Sequence, residues 1–517
     1  MAQRTRFAGY PSAVAYAKPD GKKPVQHLLW GSFIGDKGEK KGSYSVKDMH
    51  GNKVKGEYVR AHIRGEKEDV WVREHEIQVE RLLEVIFVDI GQGDGCLVVT
   101  PKDKHMLIDA GEGDNMYRFL RWRYGRFRRK FTFDAGIISH PDSDHYRGFE
   151  HLFDDPNIFF ETIYHNGIME RFGENPLGKK VKVSGRSFLK ELITSKKQLK
   201  DFLKVKKNWE KTSKGRVYQK QFPAMLNKAF VNKKFKKYEM LSIQDGYMPG
   251  YGPDEEFTIQ VLGPVVEPAD AAPPRLRWIT DIGKTKNGHS VVLLLKYRNV
   301  SLILGGDLNI PSEQLLLSHH TSIEVPPKDS EDEEALLEAA RNIFQVDIAK
   351  SCHHGSSDFD PLFLRAENPI ATVVSSGDNE PHSHPRADTL GSIGLYSRGA
   401  RPLIFSTELA RSAKETIKHP NVLYREFEKE LTKITEAPAK TKKQQIARDK
   451  KKKAFLEEMD RVLDRSIAVF GAISLVTDGH KVVIAQKIER PRGNDRKWDI
   501  YRLEPEGKGP LRYKSKY

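Results

Sequence analysis

Apolar residues fall in short runs separated by glycine turns over most of the chain. Residues 85–88, 96–99 and 106–108 are such runs, and a glycine-rich turn at residues 91–95 separates the first two. Apolar runs of about four to eight residues between turn signals are typical of buried strands. From residue 82 the pattern therefore predicts a mainly antiparallel sheet, and later runs at 257–262, 290–295 and 301–304 predict its second half.

The two ends of the chain have a different pattern of apolar and charged residues. Residues 1–80 contain strand-like pieces at 58–63 and 70–72 but few long apolar runs, which predicts a small β-rich module. Residues 424–465 are charged and helical in pattern, with a break at Pro438. Residues 471–488 alternate about Asp478-Gly479 like a hairpin. We expect a large central domain over 81–420 and a charged extension over 421–517 that packs on it.

Composition supports this division. The chain has 517 residues, and single cores usually stop growing near ~250–300 residues, so one large domain with appendages is expected. The net charge is +16, which favours polyanionic partners, nucleic acid first and an anionic membrane second. The charge is local: a basic insertion at about 179–237 holds 20 lysines and arginines against three acids.

A second basic segment lies at residues 118–130, where arginines alternate with Phe119, Trp122, Tyr124 and Phe127. Such a mixture suits phosphate contact with base stacking. It is equally typical of an amphipathic helix whose aromatic side chains face the core. The sequence leaves both readings open.

The two cysteines, Cys96 and Cys352, are too few for a disulfide framework and fit a reducing cytoplasm. The first residues lack the apolar core of a signal peptide. Apolar runs fall far short of the ~20 residues that span a bilayer, so a soluble protein without a membrane partner is expected.

Metal-binding side chains are concentrated in one loop. His140, Asp142, Asp144 and His145 follow the apolar run at 136–138, so they leave a rigid strand end together. Imidazole nitrogen with carboxylate oxygen suits zinc, manganese or iron. The alternative is a solvated polar loop in which an aspartate caps the next helix.

Further groups follow other apolar runs. Asp307 comes after 302–304, His353 and His354 after 346–349, and His384 after 371–374. Strand ends are rigid while the loops beyond them vary, so a sheet can direct such side chains at one point.

These motifs occur in a recognisable order. Residues 87–94 (Phe-Val-Asp-Ile-Gly-Gln-Gly-Asp), 107–111, 140–148, 306–307, 353–356 and 376–385 resemble the metallo-β-lactamase superfamily. The similarity is to its ComEC-type branch, named for the nuclease-like domain of a bacterial DNA-uptake protein. It covers about residues 82–405. It implies an α/β fold, an αββα sandwich, and a hydrolase with two divalent ions, zinc or manganese.

The resemblance also implies roles for individual residues. His140 and Asp142 would hold one metal, Asp144 and His145 the second, and Asp307 would bridge both. The implied metal ligands are His140, Asp142, Asp144, His145, Asp307 and His384. The implied catalytic residues are Asp144, His353 and His354, with His353 at the metal or the phosphate and His354 a possible proton donor.

Asp109 resembles the carboxylate that orients ligands in this superfamily. The chain departs from the superfamily at 287–290, Asn-Gly-His-Ser, where many members place a metal-binding histidine. His289, His165 and His151 therefore stay open as ligands. Transport of DNA is not carried over, because no segment here forms a channel.

Three functions remain at this stage. The first is a phosphodiesterase acting on nucleic acid, DNA above all, through a water that two metals acidify from a pKa of ~15.7 toward ~7. The second is a hydrolase of a small molecule such as a nucleotide, lactone or thioester, since one fold serves many reactions. The third is a non-catalytic nucleic-acid-binding protein, which loss of ligands would favour.

Overall fold

The computed structural model describes residues 4–268, 272–377, 382–407, 420–466, 471–488, 491–507 and 509–515. None of the helices within these ranges is both long and apolar enough to cross a lipid bilayer.

The N-terminal module is a single seven-stranded sheet that occupies residues 4–78. Its strands are β1 (Arg4–Ala8), β2 (Ser12–Tyr16), β3 (Pro24–Leu29), β4 (Phe33–Lys47), β5 (Lys53–Ile63), β6 (Val70–Arg73) and β7 (Ile77–Gln78). They follow the spatial order β3-β2-β6-β5-β4-β1-β7. Alternate side chains such as Ile34, Ile63 and Val72 are fully buried and form a small core of its own.

The rest of the chain mixes strands and helices, which confirms the α/β class. The strands are β8 (Leu83–Phe87), β9 (Gly95–Val99), β10 (His105–Ala110), β11 (Phe131–Ile138), β12 (Ile158–His165), β13 (Lys180–Val183), β14 (Arg186–Leu189), β15 (Glu210–Ser213), β16 (Arg216–Gln219), β17 (Phe235–Met240), β18 (Phe257–Gly263), β19 (Leu276–Arg277), β20 (Val292–Tyr297), β21 (Val300–Leu304), β22 (Ile348–Lys350), β23 (Ala371–Val374), β24 (Leu403–Ser406), β25 (Ile473–Thr477), β26 (Val482–Lys487), β27 (Trp498–Pro505) and β28 (Leu511–Lys514). The helices are α1 (Asn115–Arg123), α2 (Ser143–Tyr146), α3 (Gly148–Asp154), α4 (Lys196–Lys204), α5 (Gln221–Val231), α6 (Ile282–Gly288), α7 (Ile310–Thr321), α8 (Ser330–Phe344), α9 (Pro361–Glu367), α10 (Ala387–Tyr396), α11 (Pro420–Glu436) and α12 (Lys442–Ser466).

A ten-stranded sheet runs in the order β17-β12-β11-β10-β9-β8-β25-β26-β27-β28. The antiparallel pairing expected from residue 82 is confirmed for β8, β9 and β10. From β10 through β11 and β12 to β17 the strands are parallel instead. The reason is that helices connect them, and a parallel crossover needs a connection of that length.

The predicted hairpin at 471–488 is confirmed as β25 and β26. The position of this hairpin differs from the prediction that residues 421–517 form an extension packed on the central domain. β25 pairs with β8 along its full length, so the C-terminal strands are part of the ten-stranded sheet itself. The predicted break near Pro438 is also confirmed, since α11 ends at Glu436 and α12 begins at Lys442.

A six-stranded sheet, in the order β18-β20-β21-β22-β23-β24, faces the first. Side chains from both sheets, among them Val98, Ile137, Leu293 and Leu302, share one core. Helices α1, α3, α4 and α5 cover the outer face of the larger sheet. Helices α7, α8 and α9 cover the outer face of the smaller one. Apolar side chains on both faces explain the continuous hydrophobic runs in the sequence.

The basic insertion is folded. Leu199 and Phe202 of α4 and Phe222 and Leu226 of α5 are buried in the core beside the larger sheet, while the lysines between them are mostly exposed. In the same way, α1 buries Phe119 against that core. The amphipathic reading of the basic segment thus holds for this helix.

Candidate metal centre

The predicted metal loop lies where β11 leaves the larger sheet. Ser139 and His140 follow the strand directly, and the chain turns at Asp142 into the short helix α2, which carries Asp144 and His145. Both histidines are fully buried. Because a buried strand and a helix fix the loop at either end, these side chains have little freedom to move apart.

Four side chains from three loops meet at this strand end. Potential ligand atoms of Asp144, His145, Asp307 and His354 all lie within 4.8 Å of one another. Asp307 Oδ2 is the common point, at 3.2 Å from His145 Nε2 and 3.1 Å from His354 Nε2. Asp144 Oδ2 is 3.5 Å from the same His354 nitrogen.

Three histidines are held in the same way. The Nδ1 atom of His145 is 2.8 Å from Asp109 Oδ2, that of His140 is 3.2 Å from Ser290 Oγ, and that of His354 is 3.1 Å from the carbonyl oxygen of Ser375. Each ring therefore turns its Nε2 atom away from the partner that orients it. Ligand histidines are commonly oriented by such a contact through the other ring nitrogen.

The atoms left over fit a cation. Within the described part of the chain, four buried atoms make no well-formed hydrogen bond, although two of the nitrogens lie at ion-pair distance from Asp307 Oδ2: His140 Nε2, His145 Nε2, His354 Nε2 and Asp307 Oδ1. Buried polar atoms are normally bonded, so a cluster of unsatisfied ones needs an explanation. Imidazole nitrogens and carboxylate oxygens are ligands for zinc-like and manganese-like ions, so these residues suit a divalent metal.

Charge in the cluster is strongly coupled. Burial opposes a charge on His145, but the carboxylates of Asp307 and Asp109 outweigh it and raise the pKa of His145 well above its usual value. Burial likewise opposes ionisation of Asp307, and the two imidazoles outweigh it and hold the pKa of Asp307 well below normal. The cluster is thus held together by alternating charges.

Asp94, Asp109 and His145 form a second group of potential ligand atoms within the same limit. Its carboxylates already have partners. Asp94 contacts the ammonium of Lys350, and Asp109 accepts from the Ser139 amide at 2.8 Å as well as holding His145. This group therefore suits the support of the metal cluster better than the binding of an ion.

Asp142 stands apart from the four converging residues. Its carboxylate contacts the ammonium of Lys286, and Asn287, with its amide oriented to satisfy both groups, donates to Asp142 Oδ2 at 2.7 Å. His140 Nε2 is 3.7 Å from that same oxygen. The structure thus places the implied first metal pair beside a lysine, which the sequence did not indicate.

His353 and His384 lie at the rim. His353 Nε2 is 4.0 Å from Asp307 Oδ2, and the rings of His353 and His384 are 5.6 Å apart. His384 is also stacked at 6.3 Å from the ring of His354. The structure thus brings His354, rather than His353 or His384, into closest approach with Asp307.

Two of the histidines left open lie outside the cluster. His289 contacts the carbonyl oxygen of Arg277 through Nε2 at 2.6 Å, and burial lowers its pKa to about 4. His165 lies against the ring of Tyr238 with centroids 4.2 Å apart, and burial lowers its pKa to about 3. Both are neutral core histidines. His151, the third, is stacked on Tyr117.

Sequence reasoning missed Lys350. This lysine is buried, contacts Asp94, donates to the carbonyl oxygen of Gly306 at 3.0 Å and lies 4.0 Å from Asp307 Oδ1. A lysine that ends an apolar strand just before two histidines was the available signal, because a buried lysine needs a carboxylate partner.

Comparisons with known proteins add little. No family model and no curated relative matches the chain. One solved structure, described as a metal-dependent hydrolase of the beta-lactamase superfamily, is similar at 12% identity, over 63% of this chain and 95% of that chain, with a TM-score of 0.30. A TM-score this low assigns no function to this chain.

Replacing Asp109 by alanine should weaken metal binding about 10–100-fold, because His145 loses the contact that directs its Nε2 atom into the cluster. Titration of the apoprotein with Zn²⁺ or Mn²⁺ measures this. Asp134→Ala is the matched control, since Asp134 forms a surface ion pair with Lys104. Equal affinities of the two variants would contradict the positioning role of Asp109.

Proposed function

We propose that this protein is a metal-dependent hydrolase of the metallo-β-lactamase fold that cleaves phosphodiester bonds in nucleic acid, with DNA as the expected substrate. One observation carries the proposal: Asp144, His145, Asp307 and His354 converge within 4.8 Å and leave buried ligand atoms unsatisfied. They come from separate loops at the ends of β11, β21 and β22, in the order of the sequence motifs that resemble this superfamily.

The fold part of the proposal has its own support. The two sheets share a core and each carries helices on its outer face, as an αββα sandwich requires. Each sheet thereby buries both of its apolar faces, one against the other sheet and one against helices. We assign the chain to the ComEC-type branch on the motifs that resemble it, at residues 87–94, 107–111, 140–148, 306–307, 353–356 and 376–385.

The proposed site takes zinc or manganese. One ion would be held by Asp144, His145, Asp307 and His354. A second would be held by His140 and Asp142 once Lys286 has moved away from Asp142. His384 lies at the edge of the cluster. A bound divalent ion would supply Lewis acidity toward phosphate oxygens and would lower the pKa of a water toward ~7.

The chain's own residues perform the remaining steps. Asp144, at the N-terminal end of α2, is placed to accept a proton at Oδ2. His353 is partly exposed, and its Nε2 atom lies 4.0 Å from Asp307 Oδ2, so the ring is at the edge of the cluster, where it would donate a proton to the leaving oxygen. Lys350 fixes Asp94 and lies beside Asp307, where it offsets the negative charge of the carboxylates.

Nucleic acid is favoured over a small substrate because the basic insertion is joined to the site. Lys286 of α6 contacts both Asp142 and Glu170, and Glu170 belongs to the segment that leads into the insertion. Strand β14 of the insertion pairs with β19, which leads into α6. Lys182, Arg186 and Lys190 on this small sheet are exposed, and such residues gather a phosphate backbone.

The function is tested by incubating the protein and Mn²⁺ or Zn²⁺ with labelled single-stranded DNA, duplex DNA, RNA and a small chromogenic phosphodiester. We expect metal-dependent cleavage of DNA that EDTA abolishes. Cleavage of the small ester alone would contradict the nuclease assignment. The absence of all cleavage together with the absence of bound metal would contradict the hydrolase.

Charge reversal on the insertion tests the substrate surface. The triple variant Lys182→Glu, Arg186→Glu, Lys190→Glu should bind DNA more weakly and with a flatter salt dependence. Each lost phosphate contact lowers the slope of log K against log salt by about 0.9 for duplex DNA. The small ester should still be cleaved at the native rate. Reversing Lys41, Lys53 and Lys55, exposed on the N-terminal module, is the control, and equal slopes for the two triples would exclude this surface.

A further inference from the structure

A cavity lies on the protein surface away from the metal cluster. It has a volume of about 410 Å³ and lies on the outer face of the larger sheet, between the N-terminal module, helix α1 and strands β25 to β27. Residues of all three units line it, including Arg64, Trp122 and Trp498. Cavities of about 300–1,000 Å³ are typical of small-molecule sites.

Its described lining is rich in positive charge. The cationic members are Arg64, Arg81, Arg123, Lys487 and Lys497, and the acidic members are Glu66 and Glu84. Arg123 is paired with Glu84 at 2.7 Å, and Arg81 with Asp103 at 3.1 Å. These pairs fix two guanidinium groups in place and use up one of the two acids.

Arg64 is the cation best placed to take a ligand. Its side chain is open to solvent, and within the described ranges it forms no hydrogen bond or ion pair. Partial desolvation by the surrounding protein and the nearby charge of Arg123 lower the pKa of Arg64 to about 10. A guanidinium that is accessible and has no ion-pair partner can bind a phosphate, because it offers paired donors in a planar fork.

Aromatic rings lie beside these charges. The cavity is lined by Trp30, Trp122 and Trp498, which are half of the six tryptophans of the chain. Trp122 and Trp498 are only partly buried. The ammonium of Lys487 lies 5.2 Å from the ring centre of Trp122, and the indole nitrogen of Trp498 donates to the His27 carbonyl oxygen at 3.1 Å. Fixed rings next to cations suit a flat base that carries a phosphate.

We propose that this cavity binds a nucleoside phosphate, with the base against the tryptophans and the phosphate on Arg64. The ligand is either a free nucleotide or the terminal nucleotide of a strand, since both present the same chemistry. The proposal does not depend on the hydrolase function, because the cavity and the metal cluster share no lining residue among those named for either.

Binding is measured in EDTA, so that a metal at the catalytic cluster cannot hold the phosphate. The probes are AMP, adenosine, inorganic phosphate and short single-stranded oligonucleotides with and without a 5′-phosphate, followed by tryptophan fluorescence and equilibrium dialysis. We expect AMP or the phosphorylated strand to quench the fluorescence and to bind more tightly than adenosine or phosphate alone. Preference for AMP identifies a free nucleotide, and preference for the strand identifies a strand end.

Arg64→Ala should weaken binding about tenfold or more, since it removes a charge-assisted contact. Arg64→Lys should fall between Arg64→Ala and the native protein. Arg512→Ala, which removes an exposed arginine paired with Glu506, should bind normally. Native affinity in Arg64→Ala would overturn the proposal, as would failure of every phosphorylated probe to bind in EDTA.

Discussion

Asp307→Asn should abolish metal binding and lower hydrolysis by at least about a thousandfold, well beyond the effect of losing a residue that only orients a ligand. Asp307 is where the cluster converges, because its Oδ2 atom lies within 3.2 Å of both His145 Nε2 and His354 Nε2. Asparagine keeps the volume of the side chain but not its charge, so the fold should survive. Metal analysis, hydrolysis and thermal unfolding together measure the outcome.

Asp347→Asn is the matched control for Asp307. Asp347 is buried in the same six-stranded region, accepts from Ser301 and pairs with Arg398 at 2.5 Å. It takes no part in the cluster, so its replacement should lower the melting temperature and leave metal content unchanged. If Asp307→Asn also kept its metal, the assignment of the centre would be wrong.

Gly93→Ala should remove metal binding and cost about 1–3 kcal/mol or more of unfolding free energy. A Cβ atom at Gly93 would lie 1.7 Å from the carbonyl oxygen of Asp144, and the φ of +102° already disfavours any other residue. The amide of Asp94 donates to that same oxygen at 3.2 Å. The added methyl group must therefore push the metal loop away from the β8–β9 turn.

Gly113→Ala provides the comparison for Gly93, because nothing lies within 4 Å of a Cβ atom built there and its φ is not positive. It should unfold like the native protein and bind metal normally. Chemical denaturation and metal titration of the two variants separate the effects. Native-like behaviour of Gly93→Ala would show that the turn does not support the metal loop.

Much of the fold could be predicted because its signals are local. The apolar run before His140 and the hairpin about Asp478-Gly479 each depend on neighbouring residues only. The pairing of β25 with β8 could not be predicted in this way. This pairing joins segments far apart in sequence, and no short-range pattern predicts which strand will pair with the free edge of β8.

Three of the four converging residues, Asp144, His145 and Asp307, were predicted as metal ligands from the sequence motifs, whereas His354 was predicted only as a proton donor. The dense motif at residues 140–145 identified His145, and the apolar strand before the motif placed it at a strand end. Which of two adjacent histidines approaches Asp307 depends on a tight turn in which both His353 and His354 have positive φ values, and residue identity does not reveal that. The pairing of Asp142 with Lys286 depends on the position of α6, which is likewise set by tertiary packing.

The place of β25 in the larger sheet also determines when that sheet can be completed during synthesis. Strand β8, which leads directly into the turn that supports the metal loop, has β9 on one side and β25 on the other. A ribosome must therefore deliver residues 473–477 before this sheet can close. The ten-stranded sheet stays incomplete through most of the chain's synthesis, because one edge of β8 has no partner strand until β25 has been made.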